Sequence, residues 1–561
     1  VSKHYVAVDA PTIHHSRSRF DLSYNVKTSV SVGSLIPCYW QEIYPGDSFK
    51  VDTTLVTRLS SSYFRPVMDN LFADVMFFFI PFRLVYDKWE QIFGENRSSA
   101  WVQPSPVSAP VTPGYSEVTS KSIADYFGLP VTDIASGKVL PKGINILPFR
   151  CFAKIYDDWW RDENLIAPML IQTGDWNITE AINANAWAPG NYTGMPPKVS
   201  KFHDIFTSAL PGTQKASQPV KVPLGGTVPV VAGDSHDLGG VLKFGTVNAR
   251  SNNSSPLYMS NLIADGSYDS IFGYSASSNT GSNYVNSTNL VADLADAGQF
   301  NVTDLRYAFQ LQRILERASR CGTRYPEYIL SAFGISSPDA RLQRSEFLGG
   351  KRMPLSVQQV AQSTRGEEDS TQLGSLGAFS LSNGKCGYEK GFVEHGMVIG
   401  VLCIRQYHNY QQGIEPFWMR KDRFDFYDPI LANISEVPVY RSSLYGYTLP
   451  NVVDPTLVDD VKASVFGFQE AWYDLRRRMN VITGDMRTDS PTSLDIWHYA
   501  DYYANAPYLN KQFIEETPAY VDRTITVPSN SVDQFIIDIY HQQTGIRVLP
   551  TYSIPGLVDH H

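Results

Sequence analysis

Two kinds of constellation in this chain carry residue types able to do chemistry, clustered acids and clustered arginines. Asp157, Asp158, Asp162 and Glu163 sit together in DDWWRDE, and close carboxylates are what a glycosidase or a metal site uses. Their spacing argues for something plainer. Asp158 and Asp162 are neighbours on a helix surface with Arg161 among them, which predicts a solvated or interface-facing edge. Ser235, His236 and Asp237 have the types of a nucleophilic triad but are consecutive, whereas triad members converge from separate segments; they read as a polar turn. The chain has no G-x-S-x-G elbow, no G-x-x-x-x-G-K-[ST] phosphate loop and no H-E-x-x-H zinc helix. Cys38, Cys151, Cys321, Cys386 and Cys403 are scattered without a CxxC pair, so free thiols and a reduced cytoplasmic origin are expected, with no metal or cofactor. The His14-His15 and His560-His561 pairs lie in terminal segments and read as solvated. No enzymatic activity is expected.

The arginines point to phosphate. Arg17 and Arg19 lie in an N-terminal stretch without helical or strand periodicity, and Arg476, Arg477 and Arg478 follow the aromatic segment FGFQEAWYD. Arg313, Arg317, Arg320 and Arg324 run along and just past a predicted helix. Guanidinium groups beside aromatic rings can grip phosphates and stack the bases of single-stranded nucleic acid. Salt bridging between subunits is the competing use for each cluster. The N-terminal arm is the strongest candidate for DNA contact.

The elements that would position these groups are mainly strands. From Asp47 the sequence alternates, with Phe49, Val51, Thr53 and Leu55 on one side and Lys50, Asp52 and Thr54 on the other, the pattern of a half-buried antiparallel strand. Ala73–Pro81 and His395–Tyr407 are apolar on both faces and read as central sandwich strands. Arg523–Val527, Asp533–Tyr540 and Ile546–Pro550 are three short candidates near the C-terminus. Helices are few. Cys151–Asn164 places Phe152, Ile155, Tyr156 and Trp159 on one face, Thr303 can cap a helix reaching Arg320, and Pro326 opens a short one stopping before Gly334. Val465–Met479 is a further helix candidate. Strands at both ends with isolated helices between them predict a β-sandwich carrying long excursions.

Composition agrees. The chain has 561 residues, 32 Tyr, 29 Phe, 10 Trp, 39 Gly and 35 Pro, which suits short strands joined by punctuated loops and large apolar contacts between subunits. The longest apolar run, Val75–Phe82, is too short to span a bilayer and contains Pro81, so no membrane insertion is expected, and the N-terminus has no apolar signal core. The net charge of −9 means that bulk charge cannot hold nucleic acid; local basic patches, cations or a small basic partner must do so. Between Gly226 and Phe300 there are twelve Ser and eight Asn, with only Lys243 and Arg250 against six Asp. That segment reads as a looped surface elaboration, and Leu257, Tyr258, Ile271, Phe272, Tyr274 and Tyr284 make it too apolar for a plain linker.

Several stretches, in collinear order, resemble one family. They are SRFDLSYNVKTSVSVGSLIPCYWQEIYPGDSF (18–49), LPFRCFAKIYDDWWRDENL (147–165), KFHDIFTSALPGTQK (201–215) and DLRYAFQLQRILERASRCGTRYPEYILSAFGISSPDARLQRSEFLGG (304–350), followed by EHGMVIGVLCIR, YQQGIEPFW, SLDIWH, FIEETP and IPGLVDHH. Together these are similar to the major capsid proteins of the gokushovirus branch of the Microviridae, bacteriophages with single-stranded DNA. The resemblance spans nearly the whole chain and fails to match closely only in the Gly226–Phe300 segment.

The resemblance implies an all-β, eight-stranded viral jelly roll with long loop insertions and a few short helices. It implies a T=1 icosahedral shell of 60 subunits, a homo-oligomer, around circular single-stranded DNA. It further implies an internal scaffolding protein, a small basic DNA-binding protein and a DNA pilot protein, with assembly in the host bacterial cytoplasm and residence in the virion. The expected layout is an interior arm over 1–20, a first jelly-roll part over 21–225, a variable three-fold protrusion over 226–300 meeting a host-surface receptor, and the rest of the jelly roll over 301–561. Tyr258, Tyr274 and Tyr284 are the attachment candidates. Two other classes compete: a β-sandwich protein that binds or hydrolyses glycans, suggested by the Trp/Tyr content and the DDWWRDE acids, and a spike or fibre adhesin.

Overall fold

In a computed structural model the described residues are 16–95, 107–112, 116–133, 135–175, 187–215, 302–361, 363, 374–447 and 464–552, together with the backbone of five strands within 216–301. The chain divides into one unit of Val1–Thr213 with Cys321–His561 and a second of Gln214–Arg320.

In chain order the strands are β1 (Ser18–Asp21), β2 (Tyr24–Val30), β3 (Ile36–Ile43), β4 (Ser48–Leu59), β5 (Leu71–Pro81), β6 (Val230–Ala232), β7 (Phe244–Asn248), β8 (Ser251–Leu257), β9 (Asn283–Thr288), β10 (Leu290–Ala292), β11 (Glu346–Leu355), β12 (Val357–Ala361), β13 (Leu376–Gly391), β14 (Gly396–Gln406), β15 (Glu436–Tyr440), β16 (Val465–Glu470) and β17 (Phe535–Arg547). In the first unit, β2–β17–β4–β13 form one antiparallel sheet and β3–β14–β5–β11 the other, with β1 and β12 added at the edges of the first. The chain changes sheet at nearly every connection between these eight strands, which is the jelly-roll path of a β-sandwich. The connection from β5 to β11 carries residues 82–345, and that from β14 to β17 carries 407–534.

The two sheets differ in sequence because they differ in surroundings. On β4 and β17 burial alternates residue by residue, since only one face meets the core. β5 and β14 are buried almost throughout, because the sheet they share is covered twice. Its inner face packs Phe77, Phe79, Val398 and Leu402 into the core between the sheets. Its outer face packs Phe78, Ile80, Ile399 and Val401 against the helix Leu147–Ile155 and the segments around it. Within the second sheet, Asp74 of β5 is fully buried and is held by Arg352 of β11 at 2.8 Å and Arg405 of β14 at 2.7 Å.

The inter-sheet core contains a polar seam. The Tyr39 and Tyr388 hydroxyls lie 2.9 Å apart and Tyr39 donates to Gln543 Oε1 at 3.2 Å. His541 accepts from the Thr53 hydroxyl at Nδ1 (2.8 Å) and donates from Nε2 to the Cys38 carbonyl (3.0 Å), the arrangement of a neutral imidazole. Gly400 sits where a Cβ would come 2.8 Å from that of Tyr39 and 3.0 Å from the Phe77 ring, so the backbone must stay bare for the rings to fill the seam. Tyr388→Phe removes one hydroxyl and leaves Tyr39 its bond to Gln543. It is expected to cost about 1 kcal/mol, read as a lowered denaturation midpoint.

Several elements differ from the sequence expectation. Residues 18–20, expected in an extended arm, form β1 with Asp21 and pair with β17. The expected strands Asp533–Tyr540 and Ile546–Pro550 merge into one, β17 over Phe535–Arg547, because Gly545 packs on Phe49 and makes no turn; Val548–Pro550 lie beyond its end. Arg523–Val527 is no strand; it touches the sheets through one bridge, Ile525 to Tyr63, and Arg523 donates to the His498 and Ala500 carbonyls. The helix expected over Val465–Met479 is instead β16, paired with β15. Phe468 also bonds both ways with the Leu210 backbone, Trp472 takes a positive φ of 62°, and a single turn follows over Tyr473–Arg476. The β-branched and aromatic run VFGF favours a strand, and pairing on both sides decided it.

The second unit contains an antiparallel sheet β8–β7–β9 and a pair β6–β10. The helix Val302–Cys321 closes it in sequence, and Lys215 N–H donates to the Leu315 carbonyl.

Candidate nucleic-acid interface

The arginines after FGFQEAWYD reach the surface because β16 ends in the kink at Trp472. Arg476 is paired with Glu470. Arg477 and Arg478 are exposed and have no ionic partner among the described residues. They line two adjoining hollows, of about 300 and about 520 Å³, whose shared wall includes Glu415, Phe417 and Arg478. Arg487 and Arg420 also line this region. Arg487 donates to the Gln411 carbonyl at 2.8 Å, and Arg420 is bound to Asp474 and lies 5.9 Å from the Trp472 ring. The lining therefore carries Arg420, Arg477, Arg478 and Arg487 against Glu415 and Asp474. Beside them Phe417 and Trp418 are 44% and 72% exposed, with rings 4.7 Å apart. Unpaired guanidinium groups next to bare rings are the equipment for gripping a phosphate and stacking a base.

The other basic candidates fare differently. Arg17 and Arg19 are exposed at the sheet edge, while His14, His15 and the rest of the first fifteen residues lie outside the described residues. Arg313 and Arg320 are exposed on the helix Val302–Cys321. Arg324 does not join them; it donates to the Asp157 and Arg161 carbonyls at 3.0 and 2.9 Å and caps the next helix with Glu327. Tyr284 lies on β9 opposite Val247 of β7. Tyr258, Tyr274, the Ser235-His236-Asp237 triplet and the His560-His561 pair lie outside the described residues.

The DDWWRDE acids, expected on a solvated or interface-facing edge, include two, Asp157 and Asp158, that are partly buried and clamped within the chain. Leu147–Ile155 runs into a π-turn over Tyr156–Trp160, and Arg161 N–H closes it on the Tyr156 carbonyl. The extra residue in that turn sends Trp160 into the core and leaves Trp159 at the rim, 36% exposed, with its indole N–H on the Ser345 carbonyl and the Arg344 guanidinium 3.7 Å from its ring. Asp157 is held by Arg161, and Asp158 by Lys154 and Ser345. Carboxylates so engaged offer no acid and base pair to a sugar.

Sequence reasoning missed a buried charged node altogether. His408, from the loop after β14, places Nδ1 3.0 Å from Asp501 and Nε2 3.0 Å from Glu516. Asp501 also receives Lys201 Nζ and the Tyr503 hydroxyl, each at 2.9 Å. Burial opposes the His408 imidazolium, but the two carboxylates outweigh it and hold its pKa up at about 9. Burial likewise opposes the Asp501 carboxylate, and His408 and Lys201 hold it well below the usual carboxylate range. The side chains of His408 and Glu516 are wholly buried, so the node joins four separated segments and faces no substrate. Each contributor stands alone among loop residues, without a spacing that would reveal it.

The family model described as "Capsid protein (F protein)" matches residues 8–557. Among curated proteins the chain is 36% identical to capsid protein VP1 of Spiroplasma virus 4 over 97% of this chain and 96% of that protein. It is 34% identical to capsid protein VP1 of Bdellovibrio phage phiMH2K, again over 97% and 96%. It is 35% identical to capsid protein VP1 of Chlamydia phage 1 over 98% and 97%. With a jelly-roll sandwich and these matches over nearly its whole length, the chain belongs to the F-protein family of phage capsid proteins and serves as a major capsid protein, a structural subunit.

Proposed function

We propose that sixty copies of this chain close a T=1 icosahedral shell around circular single-stranded DNA, and that Arg477, Arg478 and Arg487, with Phe417 and Trp418, form part of the surface that meets the genome. The observation that carries the DNA reading is the pair of unpartnered guanidinium groups beside exposed rings in a chain whose net charge is −9. Local contacts of this kind are what an acidic shell needs, together with a small basic DNA-binding protein. Arg17 and Arg19, exposed at the sheet edge just before and within β1, belong to the same reading. An internal scaffolding protein and a DNA pilot protein complete the assembly in the bacterial cytoplasm. The Ser/Asn-rich segment 226–300, with Tyr258, Tyr274 and Tyr284, is assigned to host attachment on its composition.

Negative-stain microscopy of the chain expressed with and without its scaffold tests the shell. Closed particles protecting DNA from nuclease are expected, and a chain that stays a small oligomer under both conditions refutes it. For the DNA surface, Arg477→Ala/Arg478→Ala is expected to lower single-stranded DNA affinity about tenfold. The slope of log affinity against log salt should shrink by about 1.4. An unchanged slope removes these residues from the interface. Deletion of residues 1–15, which spares β1, should reduce packaged DNA more than particle number; full particles in normal number remove the arm from that role.

A further inference from the structure

The connection between β14 and β15 carries an apolar ridge that this subunit does not cover. Over Arg423–Ile434 the side chains of Phe424, Phe426, Tyr427, Ile430 and Ile434 are 78%, 54%, 50%, 87% and 48% exposed. Large apolar side chains bury 150–250 Å² or somewhat less when covered, so these five offer on the order of 600 Å². That is the upper end of what a soluble monomer leaves open, and most of the ~800 Å² that each side contributes to a standard protein interface.

The ridge is held in shape. Two 3-10 turns, Arg423–Asp425 and Pro429–Asn433, set its contour. Asp425 accepts from the Lys421 and Asp422 N–H groups at 2.9 and 3.1 Å, and Asp428 accepts from the Ile430 N–H at 2.8 Å. From below, the Trp472 indole donates to the Leu431 carbonyl at 2.9 Å and meets the Tyr427 ring edge-on at 5.3 Å. A surface fixed in this way before any contact loses little entropy on docking.

We propose that the Arg423–Ile434 ridge is a principal contact between copies of this chain, seated against a neighbouring subunit in the shell. This rests on the shell reading above. The charges around the ridge choose the occupant. Lys421 and Arg423 alternate with Asp422, Asp425 and Asp428, a mixed rim that repels a polyanion at some positions and a basic protein at others. A second copy carries the same interspersed signs, so its cations and anions can be set opposite those of the rim, which a partner of a single charge sign cannot do. An apolar centre with a polar rim is the anatomy of a protein–protein interface, and repetition around a closed shell lets each contact remain modest.

The test combines two measurements on full-length protein. Phe424→Asp/Ile430→Asp is expected to leave the thermal unfolding midpoint of the unassembled chain within about 2 °C of the unaltered chain, because both side chains are mostly in water, and to reduce sedimenting particles at least tenfold. Val393→Asp, at a residue 88% exposed elsewhere, serves as the control and should assemble normally. Normal particle yield from the double variant, or equal loss from the control, overturns the proposal. A benzophenone amino acid placed at position 430 should photo-cross-link this chain to itself within particles. Cross-links only to another virion protein overturn the ridge and leave the shell reading standing, whereas failure of the unaltered chain to form particles removes both.

Discussion

Asp501→Ala is expected to destabilise the folded chain by about 3–5 kcal/mol, the cost of stranding buried charges without their counter-ion. The carboxylate is 9% exposed and is the meeting point of Lys201, His408 and Tyr503. With it gone, the Lys201 ammonium remains 6% exposed without that anion, and the His408 imidazolium is left with Glu516 alone. The damage should be wider than one contact. The node ties the loop after β14 to the segments that carry Phe206 and Phe513 in a separate apolar cluster. Chemical denaturation of the unassembled chain gives the measurement. A second variant separates charge from shape: adding Lys201→Met to Asp501→Ala removes one stranded charge and should recover part of the loss, a coupling that a double-mutant cycle reads directly. A loss below about 1 kcal/mol in the single variant, or strict additivity in the double, would show that the node is not a charge-balanced unit.

How much of this was legible in the sequence depended on whether the signal was local. β4 announced itself by alternation and β5 and β14 by unbroken apolar runs, because burial on one or both faces writes directly into residue type. β11 and β13 passed unnoticed. EFLGGKRMPL and LGAFSLSNGKCGYEKG are rich in Gly, Lys and Ser, and their inward residues are partly small because neighbouring strands approach closely. A Cβ on Gly387 would lie 2.1 Å from the Val51 carbonyl oxygen, so the glycine that weakens the strand signal is also what the sheet requires. The π-turn at Tyr156–Trp160 exchanged the roles of two adjacent tryptophans, which helical spacing cannot foresee. Arg477 and Arg478 were found by type, but the rings beside them come from Phe417 and Trp418, some sixty positions earlier, and only the fold brings them together. The buried node lay wholly beyond sequence because its members, Lys201, His408, Asp501 and Glu516, are each unremarkable where they stand.

Two histidines are expected to set opposite limbs of the stability profile. His541 is neutral in the core, where burial lowers its pKa to about 4, against an ordinary value near 6.5 when unfolded. The folded state therefore binds fewer protons than the unfolded one across that interval. Its contribution is full above about pH 6.5 and is lost as pH falls toward 4, a change of about 3 kcal/mol. His408 works in the other sense. Its pKa of about 9 lies above the unfolded value, so its contribution is full below about pH 6.5 and is lost as pH rises through 9. Unfolding free energy of the unassembled chain, measured from pH 4 to pH 9.5, should accordingly fall on both sides of a plateau. His541→Gln should flatten the acid limb while keeping an amide for Thr53 and the Cys38 carbonyl, and His408→Gln should flatten the alkaline limb. An acid limb that survives His541→Gln unchanged would remove His541 from this role.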